Sequence, residues 1–495
     1  MKRPLGVFGF SYFIALAVAL CLSDSFLYTA ICVGIFFAVI ALVILRGQKR
    51  IIAIAAIGAV IAVAKFLYVN ETIYYPLQTL VGMTDTVTLQ VCEIPDYYSW
   101  GSRAKCKVLD EKVGETNGGF YVSLAVFRST EIRYGDIFTA EIKFDKNYVT
   151  DDGTDYSLYT GSYISATVSD YDGDSLNFID KDDAASTLQT INQKITSRIR
   201  GYLPNENGDI ICGVCFGDKS GLSQETTDLF RLGGISHLLA LSGLHLGVFS
   251  AVVYWLCRKI GMNYYITGIV SAVVSTVFAM LVGFSPSITR ALILVWYTAI
   301  GRLLHRDVDA ITILGLSCIL LTFENPYAIL NPGLVLSILS CYGIMVAAPY
   351  VEKILLSLTK IKLRGAAQML IGSICIVLVT AGYSVYCFGE VSLAGVLLNV
   401  IFIPLYGSII SVGIFAGVAS IALGPISGIL QPIFSVIGSL VGFSVDLITP
   451  LTACSDVFLI RPDLKQVLLF YAVIAAVMII IKISIKCARH IKNVV

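Results

Sequence analysis

Gly233-Gly234-Ile235-Ser236-His237-Leu238-Leu239-Ala240-Leu241-Ser242-Gly243-Leu244-His245-Leu246-Gly247 stands at the head of a long apolar run. Two of the four histidines of the chain lie in it, eight residues apart, among two serines and four glycines. Polar groups cost free energy in hydrocarbon unless they find partners, so this stretch reads as a functional candidate among membrane helices. Small residues and serines also let transmembrane helices pack closely, and a histidine can bond a neighbouring carbonyl. Both readings stay open from the residues alone.

The surrounding composition decides the class. With 56% hydrophobic residues, 14% charged residues and a mean hydropathy of +0.81, the chain is a polytopic α-helical membrane protein. A formal net charge of +1 gives no global basic footprint, because basic and acidic residues fall in different loops. The 13 cysteines are scattered, mostly in apolar runs, as packing residues. Cys92 and Cys106 alone invite a disulfide, with bridged and free states both open. Cys212 and Cys215 form a single Cys-x-x-Cys with no second pair, so no metal site is expected.

Apolar runs at Met1–Leu22, Phe26–Leu45 and Ile51–Tyr68 predict three spans, with the basic turn Arg46–Arg50 between the last two. Nine more are expected at Ile235–Leu256, Tyr264–Val282, Ser287–Leu304, Ile311–Phe323, Leu330–Tyr350, Ala366–Phe388, Leu393–Leu423, Ile426–Leu447 and Gln466–Ile483, about 12 in all. Keeping Lys/Arg-rich turns on one side places Arg258, Lys259, Arg302, Arg306 and the tail lysines in the cytoplasm with both termini. The expected division is 1–69 as N-terminal membrane helices, 70–183 as an extracytoplasmic domain and 184–232 as amphipathic or re-entrant connecting helices, then 233–485 as the main membrane domain and 486–495 as a basic cytoplasmic tail.

In the inserted domain, apolar and polar residues alternate over Asp85–Val91, Gly119–Val126 and Asp136–Phe144, with Gly and Asp at the breaks. Period-two runs of this length predict an all-β, OB-like barrel, a shape often used to hold single-stranded nucleic acid. Tyr97, Tyr98 and Trp100 lie beside Arg103 and Lys105, an arrangement suited to stacking bases and neutralising phosphates. Aromatic hairpin packing is the competing reading, and the aspartates from Asp145 to Asp174 would repel a polyanion. Ser186–Arg200 reads as an amphipathic helix, followed by Asp218 and Lys219, which either end a helix in water or line an aqueous path.

Phe216-Gly217-Asp218-Lys219 and Ile235-Ser236-His237 through Leu244-His245, with Gly283-Phe284-Ser285-Pro286-Ser287-Ile288-Thr289-Arg290-Ala291 and Leu398-Asn399-Val400, resemble the signature segments of the ComEC family, competence channels that carry DNA across the bacterial inner membrane. Leu334 and Val335 stand where that family commonly has Phe and Gln. The resemblance implies single-stranded DNA as cargo in natural transformation, within the inner membrane's lipid bilayer. It also implies a membrane-anchored DNA receptor and a cytoplasmic ATP-driven translocase as partners. With four histidines and no His-x-His-x-Asp-His motif, the metallo-β-lactamase-like domain of many members is not expected here, so a separate nuclease is. No P-loop is present, and neither enzyme activity nor a cofactor is expected.

The residues take physical roles beside that resemblance. Arg290 either snorkels to an interface or faces an aqueous path where a guanidinium would bind phosphate, and the polar turn of Ser285, Ser287 and Thr289 favours the path. His237 and His245 would share one broad helix side, facing a pore or tying helices together. The expected path comprises His237, Ser242, His245, Ser287, Arg290, Asp218, Lys219 and Asn399. Two other classes remain: a secondary transporter of a small solute, and an intramembrane hydrolase using Ser242 with His237 or His245.

Overall fold

The computed structural model describes residues 4–21, 49–98, 101–127, 132–147, 156–168, 176–181, 183–306, 309–359, 365–391, 394–423, 428–453, 458–459, 466–467, 469–471 and 473–474. The expected spans at Phe26–Leu45 and, for the most part, Gln466–Ile483 lie outside them, as do the tail 486–495 and all but Lys49 and Arg50 of the basic turn. The chain divides into two compact units. The first is Met1–Gly221, Ala240–Val335 and Gly407–Ser439; the second is Leu222–Leu239, Leu336–Tyr406 and Leu440–Val495.

Alternation in the inserted segment becomes strands. β1 (Thr84–Val91), β2 (Asp96–Tyr98), β3 (Gly101–Val108), β4 (Lys112–Val113), β5 (Thr116–Asn117), β6 (Tyr121–Phe127), β7 (Asp136–Asp145), β8 (Ile164–Val168) and β9 (Asn177–Lys181) follow in order. Along β3 every second side chain is buried, beginning with Ser102 and ending with Val108. Pairing runs β1-β3-β6-β8-β7 and returns to β1 through the antiparallel register Thr84↔Lys143 to Gln90↔Ile137. The circuit therefore closes into a barrel, and its β6–β8 pairing is parallel. Leu89, Leu124, Phe138 and Phe144 fill the interior and are fully buried. Each contributes about 1.5–3 kcal/mol by leaving water.

Register bears on the pairing of Cys92 and Cys106, which the sequence leaves open. Val91 stands opposite Cys106, and both are buried in the barrel. Cys92, one residue on, donates its N–H to Lys105 O, and strand alternation turns its side chain to the other face. Both cysteines are free thiols, and burial pushes both thiols up.

The helices of the first unit begin with α1 (Pro4–Cys21), which packs against α2 (Lys49–Val69). A π-turn at Asn70–Tyr74 carries α2 into the short α3 (Tyr75–Gln78), and α4 (Tyr156–Thr160) lies between β7 and β8. The amphipathic segment becomes α5 (Asp183–Tyr202), which buries Asn192, Ile195, Thr196 and Ile199 on one face. α6 (Glu206–Phe216) and, in the second unit, α7 (Gln224–Leu232) follow. Then come α8 (Gly243–Lys259), α9 (Tyr264–Val282), α10 (Pro286–Leu303) and α11 (Ala310–Phe323). α1 crosses α11 on bare backbone, since a Cβ on Gly9 would meet Gly315 O at 2.1 Å. α12 (Pro332–Tyr342), α13 (Ala348–Thr359), α14 (Ala366–Phe388), α15 (Ala394–Ala422) and α16 (Gln431–Ala453) complete the helices described.

Among the described residues six helices are long and apolar enough to cross a membrane: Ala53–Gln78, Tyr264–Val282, Pro332–Leu356, Ala367–Phe388, Leu398–Ala422 and Gly428–Pro450. Within the span expected at Ile235–Leu256 the structure has a 3-10 turn, Ser236–Leu238, followed by the 17-residue α8. In the second unit Tyr406 packs edge-on against Phe230 and its hydroxyl lies 2.9 Å from Ser444 Oγ.

A second junction ties the barrel to the helices of its own unit. Asn325, between α11 and α12, donates from Nδ2 to Leu158 O and Tyr159 O at 2.8 and 3.0 Å and accepts from Tyr163 Oη at 2.9 Å. Tyr327 Oη donates to Asn70 Oδ1 at 2.7 Å, and its ring sits 5.7 Å from those of Phe66 and Tyr163.

Candidate functional site

Helix α8 starts abruptly because Ser242 is extended (φ −122°, ψ 170°) and caps it. Ser242 Oγ accepts from Leu244 N–H at 3.3 Å, while Ser242 N–H donates to His245 Nδ1 at 3.0 Å. This is a capping box with histidine in the place usually held by Glu or Gln. Since Nδ1 accepts a backbone N–H, it carries no proton, and the ring is neutral with its hydrogen on Nε2. The imidazole is fully buried, and Ser242 Oγ lies 2.8 Å from Nδ1.

Helix α10 starts in the same manner. Ser285 Oγ accepts from Ile288 N–H at 3.3 Å, Pro286 occupies the first turn, and Thr289 Oγ1 donates to Ser285 O at 3.0 Å. One turn on, Arg290 turns toward α8: a Cβ on Gly243 would lie 3.0 Å from Arg290 Nη2, 3.5 Å from Ala291 Cβ and 3.6 Å from Ser287 O. Gly243 is thus the gap through which the guanidinium meets the first turn of α8. Ser242, Gly243, His245, Ser287 and Arg290 come together there, although 45 residues separate the last histidine from the arginine.

Electrostatics make this junction unusual. The N-terminus of a helix carries partial positive charge, and a cation beside it is unfavourable by roughly 0.3–1 kcal/mol. Here two helix starts and a guanidinium share one place, and no Asp or Glu occurs between Asp228 and Asp307. The Leu244 and Ile288 N–H groups are taken by the serine caps, so what the place offers a phosphate or carboxylate is the guanidinium and the positive ends of two helices.

His237 is exposed in the 3-10 turn, so the two histidines do not share a helix side; the polar break at Ser242 starts a new helix between them. His237 and Asn399 belong to the second unit, where Asn399 is half-buried on α15 and its Oδ1 has no hydrogen-bond partner among the described residues. Asp218 is engaged rather than open to a path. Arg200 holds Asp209 at 2.7 Å and Asp218 at 2.8 Å, and Ser220 Oγ donates to Asp218 Oδ1 at 2.6 Å. Burial alone would raise the Asp218 carboxyl, but the bonds from Arg200 and Ser220 outweigh it and hold the group below the usual carboxylate range. Lys219 beside it is exposed. Cys212 and Cys215 are buried free thiols; burial pushes Cys212 up to about 12, which fits packing.

On the barrel, Tyr97 and Tyr98 fall on β2, but their side chains and the whole of Trp100 lie outside the described residues. Arg103 is half-buried on β3, opposite Asp96 and Ala125. Lys105 differs from the expected phosphate contact. Its Nζ lies 4.4 Å above the Tyr121 ring and 3.6 Å from Glu93 Oε1, and it donates to Thr160 O, so it is spent within the domain.

Two groups escaped the sequence reading. Arg200, at the end of an amphipathic helix, gave no sign of its carboxylate partners. Asn325 gave one, since Asn-Pro marks a turn or helix start.

A family model described as Competence protein matches residues 214–483, more than half of the chain. The chain is 27% identical over 296 residues to the ComE operon protein 3 of Bacillus subtilis (strain 168), an alignment covering 60% of this chain and 37% of that one. No solved structure matches it. With its matched region running from α6 into the last described helical residues and containing the joined starts of α8 and α10, this chain belongs to the Competence protein family, of the ComEC type.

Proposed function

We propose that the protein is a channel that passes single-stranded DNA across the bacterial inner membrane during natural transformation, with the junction of α8 and α10 as the point where phosphates are first received. The observation that carries this reading is Arg290 lying against Gly243 at two helix starts, inside a stretch free of acidic residues. A polyanion complements a guanidinium set at two helix starts, which a neutral solute does not. The closed strand circuit with its one parallel pairing supports an OB-like barrel that presents DNA to the membrane. About 12 spans, cytoplasmic termini, a membrane-anchored receptor, an ATP-driven translocase and a separate nuclease belong to the same proposal. The chain supplies the path and no chemistry.

The test is uptake of labelled DNA, scored separately from DNA held at the surface, in a deletion strain complemented by Arg290→Gln or Arg290→Lys at matched protein levels. Uptake is expected to fall at least about tenfold with Gln, the worth of one charge-assisted contact, and less with Lys, while surface binding persists. Import in the uncomplemented deletion equal to wild type overturns the channel reading.

The 2.8 Å approach of Ser242 Oγ to His245 Nδ1 favours a second reading, an intramembrane hydrolase. The two part at Ser242→Asn, which keeps a capping oxygen and removes the hydroxyl: a cap survives it and a nucleophile does not.

A further inference from the structure

The end of α8 opposite Ser242 carries a second positive cluster that the uptake path does not use. The last turn of α8, the first turn of α9 and the last turn of α10 meet there, bringing Arg258, Lys259, Arg302, His305 and Arg306 into one region. The Arg302 guanidinium lies 4.7 Å above the Tyr254 ring and 5.4 Å above that of Tyr264, and a Cβ on Gly268 would lie 4.0 Å from its Cδ. Lys259 Nζ sits 5.5 Å above the Trp255 ring, and Arg258 Nη1 donates to Met262 O at 2.7 Å. Arg258, Lys259, His305 and Arg306 are exposed and Arg302 half-buried. Asp309, the first described carboxylate beyond them in sequence, accepts from the Thr312 N–H and hydroxyl as the cap of α11.

His305 adds a separate observation. α8 and α10 both end in the double backbone bond that closes a helix: Met262 N–H to Cys257 O and Gly261 N–H to Arg258 O in α8, Arg306 N–H to Gly301 O and His305 N–H to Arg302 O in α10. That closure needs a left-handed residue, usually glycine. α8 has Gly261 (φ +82°), but α10 has His305 at φ +54°, the one described non-glycine residue with positive φ. A conformation that disfavours a side chain is held with the imidazole 2.8 Å from Tyr265 Oη, among the cations.

The surrounding surface is apolar. Trp255, Ile260, Ile266, Leu303 and Leu304 are each at least half exposed, Ile260 at 77% and Leu304 at 62%. Cations and tyrosines bordered by exposed aliphatic side chains complement a molecule with an anionic head and hydrocarbon tails.

We infer that the ends of α8 and α10 and the start of α9 bind the headgroup of an anionic phospholipid, with Arg302 and His305 holding the phosphate and Arg258, Lys259 and Arg306 around it. The exposed apolar ring selects lipid over nucleic acid, whose bases would stack on Trp255 and Tyr264 but leave Ile260, Leu303 and Leu304 uncovered.

Native mass spectrometry of the full chain, released from micelles containing phosphatidylglycerol or phosphatidylcholine, tests this. Retention of phosphatidylglycerol but not phosphatidylcholine is expected. Arg302→Gln should reduce it about fivefold, the worth of one cation near a lipid surface. His305→Gly should weaken it several-fold while leaving the melting temperature equal or higher, since glycine suits that backbone. Equal retention of the two lipids, or wild-type retention in both variants, overturns the inference. So does displacement of phosphatidylglycerol by an oligo-dT strand, which makes the patch a nucleic-acid platform, or by glycerol 3-phosphate, which makes it a site for free phosphate esters.

Discussion

At Ser242 and His245, an imidazole performs the return bond that a glutamate makes in an ordinary capping box, without bringing negative charge to a place that faces Arg290. Ser242→Ala is expected to lower the melting temperature by an amount equivalent to about 1 kcal/mol, and Ser242→Asn to restore it. Gly243→Ala places a methyl 3.0 Å from Arg290 Nη2, so the guanidinium must shift. DNA uptake is expected to fall while thermal stability changes little, because Ala is otherwise the better helix former. These residues were legible singly: a serine, a glycine and two histidines in an apolar run, and an arginine after a polar turn. Their meeting was not, because it depends on a contact between α8 and α10 that no local spacing encodes. The helix start was hidden too, since Leu238, Leu239 and Leu241 continue the apolar pattern through the 3-10 turn and the histidine at the third position disguised the box.

The strands were readable at the level of elements because each buries one face, and a half-buried strand writes that face into every second residue. β1, β6 and β7 fall where the alternation placed them, whereas the closing β1–β7 pairing joins residues about 50 apart and leaves no local mark. At Cys92 one step of register separates a barrel-facing thiol from an outward one, a difference that the spacing of the two cysteines does not carry. Asn325 shows how much a single connecting residue can hold. Asn325→Ala leaves the Tyr163 hydroxyl without its acceptor and removes the side-chain bonds to Tyr159 O and to Leu158 O, which keeps its bond from Gly161 N–H, a loss of about 1–3 kcal/mol. Faster amide exchange in α4 and β8, with the rest of the barrel unchanged, is the expected reading.

Over the whole molecule, acidic groups are kept out of the stretch between Asp228 and Asp307 and gathered elsewhere, as in the bracket that Arg200 forms with Asp209 and Asp218. Because the Asp218 carboxyl is held below its unfolded value, its contribution is full above about pH 4 and is lost as pH falls through the lower, folded value. Asp218→Asn should therefore lower stability at neutral pH and flatten the acid limb of a stability–pH curve. Composition alone disclosed the membrane class, but the bracket needed three segments folded together. The junction at Asn325 and Tyr327 has a consequence for modularity. Both residues lie inside the matched region 214–483, while their partners Tyr163, Leu158, Tyr159 and Asn70 precede it. The barrel is thus not a cartridge that can be exchanged at its own two ends: a chimera that replaces 70–183 will keep its seat only if the turn at 325–327 is transplanted with it.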